Sequence, residues 1–275
     1  MRIITQLSLF DDTQNENLGD LERLQNVFEN IPDENLIRKL KEIRGKGRNE
    51  WPVEAMWNSF IASFIFDHDS VASLLRELNR NSQLRILCGF QPHMYSVLTK
   101  EKDEYGRRIR ESRYKLAPTA SAYTNFLNNL KECQKELREM FDILVGYMYE
   151  HLYDFGAVLA ADGKAIQSFA ARISQKDSGN RGERDADWCK KTYTATKADR
   201  EKITRTKKWK RLYKKRTSIE RINGRIDRDY QFEKHTIRGL DKMKLFLTVT
   251  FIIQLALAKA KIEKGNVTGL AKYCS

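Results

Sequence analysis

Apolar residues recur at helical spacing along most of the chain, and the breaks between periods are marked by Pro, Gly and short polar side chains. Two helical periods lie between Leu18 and Arg44, separated by Pro32, with Asp33 as the expected N-cap of the second. Gly45, Lys46 and Gly47 read as a linker. Pro52 then opens a strongly apolar helix with Val53, Met56, Trp57, Phe60, Ile61 and Phe64 at helical spacing, residues expected in a core rather than on a binding face. Asp69 and Ser70 cap a helix through Leu78, and Gln83 to Cys88 forms a short one. Tight turns between short helices are compatible with a helix-turn-helix-like unit in a DNA groove.

Residues 99–117, TKEKDEYGRRIRESRYKLA, are charged and irregular, and read as a solvated connection, with a loop that touches phosphate as the alternative. A long helical pattern runs from Thr119 to about Tyr153. Residues 155–169, FGAVLAADGKAIQSF, predict a strand ending at Asp162, an Asp-Gly turn and a return strand. A polar loop and a strand, KTYTAT, ending near Lys197 follow. Tyr213 to Arg228 predicts an amphipathic helix with Leu212, Ile219, Ile222 and Ile226 as its apolar residues, and Leu240 to Lys264 a final helix. Leu247, Phe251, Ile252 and Leu255 are expected to turn that last helix toward a sheet.

With 275 residues and 41% hydrophobic content the chain can bury a sizeable core. Its formal charge of +13 is concentrated: residues 200–244 hold 17 Lys/Arg against 6 Asp/Glu. Such density points to a polyanion, DNA before others. Cys88, Cys133, Cys189 and Cys274 are widely spaced and lack a Cys-x-x-Cys pair, which fits reduced cytosolic thiols better than disulfides or zinc. The start of the sequence lacks a signal-peptide pattern. The apolar run Leu245–Ala258, interrupted by Thr248, Thr250 and Gln254, reads as a core helix too short to span a bilayer.

Spacings of three and four bring Tyr213, Arg216 and Glu220 to one side of their helix. A carboxylate with an arginine among lysines suits a metal ion held beside polyphosphate, and equally an ordinary i,i+4 ion pair on a solvated helix. The pattern Tyr-x2-Arg-x3-Glu resembles the signature around the last acidic residue of bacterial insertion-sequence transposases of the DDE type. Asp162, at a strand end and followed by Gly-Lys, stands where the first catalytic aspartate of that family stands. The resemblance implies a ribonuclease-H-like domain that cleaves phosphodiesters and transfers strands with Mg²⁺ or Mn²⁺ held by Asp162 and Glu220. It implies that Arg216 contacts phosphate with support from Tyr213, Lys214 and Lys215, and Lys207, Lys208, Lys210, Arg211, Arg225 and Arg228 extend that DNA-binding set.

The chain departs from the family between Lys197 and Lys210, where no apolar strand ends in an aspartate; Asp185, Asp187 and Asp199 lie in polar surroundings. Beside that family the chain looks like a transposase lacking the middle of its catalytic domain, so the metal is expected to bind weakly and strand transfer to be absent or nearly so. The implied fold is α+β, predominantly α: a polar tail at 1–19, a helical DNA-binding-type domain at 20–117, a connecting helix at 118–153 and a truncated ribonuclease-H-like domain at 154–275. The alternative function is a non-catalytic DNA-binding inhibitor or regulator derived from a transposase. In the tail, Gln6, Leu7, Ser8, Leu9 and Phe10 look like the short motif by which bacterial proteins dock on the sliding clamp, or else fold back onto the first helices. The expected setting is a cytoplasmic, nucleoid-associated homodimer on the ends of an insertion sequence, without membrane contact.

Overall fold

The computed structural model describes residues 20–46, 50–102, 104–106, 108–153, 155, 206–230, 232 and 237–270; at 20, 98–102, 109, 208–209 and 212–219 it describes the backbone alone. The Gln6–Phe10 motif, nearly all of the 155–169 hairpin with Asp162, the KTYTAT strand and Asp185, Asp187 and Asp199 lie outside the described residues. Among the described residues the protein is mostly helical with one small sheet, which is α+β with helix dominant. The elements are α1 (Asp20–Asn30), α2 (Glu34–Arg44), α3 (Val53–Ile65), α4 (Val71–Arg80), α5 (Ser82–Cys88), β1 (His93–Lys102), β2 (Arg108–Lys115), α6 (Ala120–Glu132), α7 (Gln134–His151), α8 (Lys207–Asp229) and α9 (Leu240–Glu263).

Helix α3 is the centre of the core. Ten of its thirteen residues are buried, because apolar side chains surround its axis instead of lining one stripe. Phe60 packs its ring against those of Trp57, Phe64, Phe126 and Phe246, at centroid distances of 5.1–6.4 Å. It therefore joins α3 to α6 and α9. The buried Ser59 hydroxyl donates to the Met56 carbonyl and lies 3.3 Å from the Tyr123 hydroxyl, so both polar groups are satisfied.

The helix boundaries follow the predicted chemistry at several points. Ser70 accepts from the Ser73 amide at 3.2 Å and Asn81 from the Leu84 amide at 3.0 Å, opening α4 and α5. Gly89, at φ 92, ends α5 with Phe90 N–H donating to the Arg85 carbonyl and its own N–H to that of Ile86. Asp33 departs from expectation. It occupies the N-cap position of α2 but its carboxylate accepts from the Trp57 indole N–H at 3.0 Å, tying α2 to α3 instead of capping.

Two further expectations are corrected. Residues 99–117 are not an irregular connection: β1 and β2 form an antiparallel ribbon in the register His93↔Lys115 to Leu98↔Arg110, irregular before Lys102↔Arg108. The long pattern from Thr119 to Tyr153 is not one helix. It breaks at Cys133, whose amide closes α6 on the Leu130 carbonyl while its own carbonyl accepts from Leu137 to start α7.

Helix α9 packs on α7 and α1 above all, and also on α3 and α6. Among the described residues α9's partners are helices; Ile252 is fully buried and Leu247, Phe251 and Leu255 partly so, while the strands they were expected to face lie outside the described residues. By length and composition α9 is apolar enough to cross a membrane, with a mean hydropathy of 1.7. Its Leu245, Val249, Ile252, Ile253 and Ala256 belong to the same hydrophobic cluster as Leu24 of α1 and Trp57 of α3. Packing against four other helices accounts for buried apolar residues on more than one side of α9.

Candidate nucleic-acid interface

Helix α8 holds ten Lys/Arg against three Asp/Glu in 23 residues. At 1.5 Å per residue it is about 34 Å long, close to one turn of B-DNA. Its cations are not scattered. Each of Lys207, Lys210, Arg211, Lys214, Arg221, Arg225 and Arg228 lies three, four or seven residues from another of the set, which places them along a single stripe. Lys207, Lys210, Arg211, Arg221 and Arg228 are exposed and Arg225 is half-buried. Arg221, which sequence reasoning passed over, sits in the middle of this stripe. Its spacing from Lys214 and Arg225 was the available signal.

Tyr213, Arg216 and Glu220 fall together on another side of α8, roughly 125° from the stripe at about 100° per residue. Glu220 is exposed. The side chains of Lys208, Tyr213, Lys214, Lys215 and Arg216 lie outside the described residues, as does Asp162 entirely. Among the described residues no group of three or more His, Cys, Asp or Glu is arranged to hold a metal ion. The two expected ligands, Asp162 and Glu220, are both oxygen donors, the chemistry that suits Mg²⁺ or Mn²⁺.

Among the described residues, the buried ones at the carboxyl-terminal end of α8 and just after it are Ile226, Asp229, Tyr230 and Phe232. Tyr230 packs its ring 6.5 Å from that of Phe64, and Phe232 N–H donates to the Ile226 carbonyl at 3.2 Å. These residues close a small cavity of about 50 Å³ shared by Ser63, Phe64, Asp67, His68 and Phe246. The arrangement mounts the basic helix on the end of α3 by its last turn.

This junction brings two carboxylates together. Asp229 is buried, with the Arg228 Nε donating to it at 2.6 Å. Asp67 turns the chain out of α3 at φ 53, a left-handed conformation that Asp and Asn adopt more readily than most residues. Desolvation pushes the Asp67 carboxyl up to about 6; the Arg23 guanidinium opposes that rise and the Asp229 charge adds to it. Burial lowers the neighbouring His68, against the pull of Glu77 and Asp69.

A carboxyl raised from 3.8 to about 6 on folding contributes stability that is full below 3.8 and is lost as pH rises through about 6. Asp67→Asn keeps the backbone conformation and removes the charge. It is expected to raise the melting temperature at pH 8 by about 2–4 °C, equivalent to about 1 kcal/mol once solvent screening is allowed for, and to change it little at pH 4. Thermal melts of both proteins across that range test the sign.

Residues 10–100 match the family described as a transposase domain (DUF772). The matched stretch takes in α1 to α5 and most of β1, the helical layer that receives the end of α8. The match supports a transposase-family protein. No curated protein and no solved structure matches the chain.

Proposed function

We infer that this chain is a transposase-family DNA-binding protein of insertion-sequence origin, and that the exposed cation stripe of α8 grips the phosphate backbone. The observation that carries the reading is the alignment of Lys207, Lys210, Arg211, Arg221, Arg225 and Arg228 on one side of a helix about as long as a DNA turn. The transposase-domain match over residues 10–100 supports the same class. The partner is double-stranded DNA at the element's ends, bound by two copies of the chain in the cytoplasm, with Gln6–Phe10 available to a sliding clamp.

The catalytic half of the reading rests on Tyr213, Arg216 and Glu220 with Asp162. In a ribonuclease-H-like DDE site Asp162 and Glu220 would hold Mg²⁺ or Mn²⁺, which supplies an activated nucleophile and a stabilised leaving oxygen. Arg216 would orient the phosphate beside the scissile bond, and Glu220 would fix that geometry from the next helical turn. The sequence between Lys197 and Lys210 holds no strand-ending aspartate. Loss of one carboxylate from such a site costs on the order of 10³ in rate. The alternative of a non-catalytic inhibitor or regulator is favoured by the same omission.

Supercoiled plasmid incubated with the protein and Mg²⁺ or Mn²⁺, with a mobility-shift assay on the same samples, separates these readings. The expected result is binding that weakens with salt and no nicking by the unaltered chain, Asp162→Asn or Glu220→Gln. Metal-dependent nicking that both variants lose would establish a complete catalytic site. Absence of salt-dependent binding would remove the DNA reading altogether.

A further inference from the structure

The ribbon β1–β2 is built unlike the rest of the molecule. Its base is fixed: Phe90 just before it and Ala117 just after it are buried, and Phe90 meets the Trp51 ring edge-on at 5.7 Å. Glu50, whose side chain is only 12% exposed, accepts from the Lys115 ammonium at 2.8 Å and lies 4.0 Å from His93 Nε2. Beyond that base the strands leave the body. Ser96, Arg108, Arg110, Glu111, Ser112, Arg113 and Tyr114 are all exposed, so both faces of the ribbon meet solvent. Isolated two-stranded ribbons are marginally stable in water. One of ten residues that projects from a rigid mount is a surface awaiting a partner.

The register separates its two faces. One carries the pairs His93↔Lys115, Tyr95↔Arg113 and Val97↔Glu111, with the Lys115 ammonium over the Tyr95 ring and Arg113 hydrogen-bonded to Glu111. The other carries Met94↔Tyr114, Ser96↔Ser112 and Leu98↔Arg110, with Met94 60% and Tyr114 63% exposed and no carboxylate among them. In the sequence, Glu101, Asp103 and Glu104 stand between Lys100 and Gly106. Strand β2 holds Arg108, Arg110, Arg113 and Lys115 against Glu111 alone.

We propose that this ribbon enters the major groove of double-stranded DNA with its Met94/Ser96/Ser112/Tyr114 face toward the bases and Arg108 and Arg110 of β2 on the phosphates, as a second contact beside α8. The inference rests on the DNA reading of α8 and adds a surface to it. A two-stranded ribbon fits the major groove, which is about 12 Å wide, and serine hydroxyls both donate to and accept from base edges there. Pairing of the β2 edge with a second copy would set like charges against one another, which disfavours that occupant.

The test uses the full chain on a short random-sequence duplex at graded salt. R108T/R110T is expected to make the salt dependence of binding shallower by about 2 in log–log slope and to weaken binding roughly 10–100-fold near 0.1 M salt, since each phosphate contact adds about 0.9 to the slope. R108K/R110K keeps the charges and is expected to keep the slope. K207Q/K210Q in α8 runs beside them. If only the α8 variant loses affinity, the ribbon proposal is overturned and the α8 reading stands. If R108T/R110T binds DNA normally but light scattering shows it has lost a dimer, the ribbon seats a second copy and the proposal is overturned. If the unaltered chain does not shift the duplex, both readings fail.

Discussion

Phe60→Ala is expected to destabilise the protein by about 3–5 kcal/mol, one of the largest losses available to a single core substitution. Phe60 is 2% exposed, and its ring meets four others drawn from α3, α6 and α9. Truncation leaves a cavity whose walls belong to three helices, each held in place by further buried side chains, so collapse around the gap is restricted. Phe60→Leu retains most of the volume and is expected to cost about half as much. The two variants are compared by urea denaturation at one pH. A loss below about 1 kcal/mol for Phe60→Ala would mean that the cluster relaxes freely, and that α9 does not depend on α3 for its position.

The elements that the sequence made legible are those in which one physical signal dominates. Ser70 and the Pro52 entry mark their helices because capping and proline chemistry act locally. The apolar run of α9 reads as a core helix, and the helix packs on α1 and α7, its partners among the described residues being helices. Nothing in a one-dimensional pattern says what an apolar face will touch. The ribbon escaped notice for the opposite reason. With both faces in water, β1 and β2 lack the alternation of apolar and polar residues by which a half-buried strand is recognised. The break at Cys133 was hidden because Glu132, Cys133 and Gln134 contain neither proline nor glycine, so helical periodicity continues across it.

The candidate site divides along the same line. The density of positive charge in α8 was visible from composition, and the helical spacing of Tyr213, Arg216 and Glu220 from the motif. What residue types alone concealed is angular position: the cation stripe and the motif occupy different sides of α8. The Asp67–Asp229 junction was beyond reach. It is made by residues remote in sequence that meet only because Tyr230 and Phe232 dock α8 against the end of α3.

That division of faces leads to the second large effect. Exchanging Lys207, Lys210, Arg211, Arg221 and Arg225 for glutamine is expected to reduce the salt slope of duplex binding by about 4 and to lower affinity by about 10³-fold or more near 0.1 M salt. Glutamine ranks close to Lys and Arg as a helix former, so the loss reports charge and not unfolding of α8. Arg228 is left in place because it is hydrogen-bonded to the buried Asp229, and removing it would strand that carboxylate and confound binding with stability. Arg216→Gln, a single change on the other side of the helix, is expected to reduce the slope by no more than about 1. Mobility shifts of the three proteins on one duplex across graded salt decide the matter. A five-residue variant that binds with the original slope would place the DNA contact elsewhere on the molecule, whereas an Arg216 variant that alone abolishes binding would move the interface to the motif face.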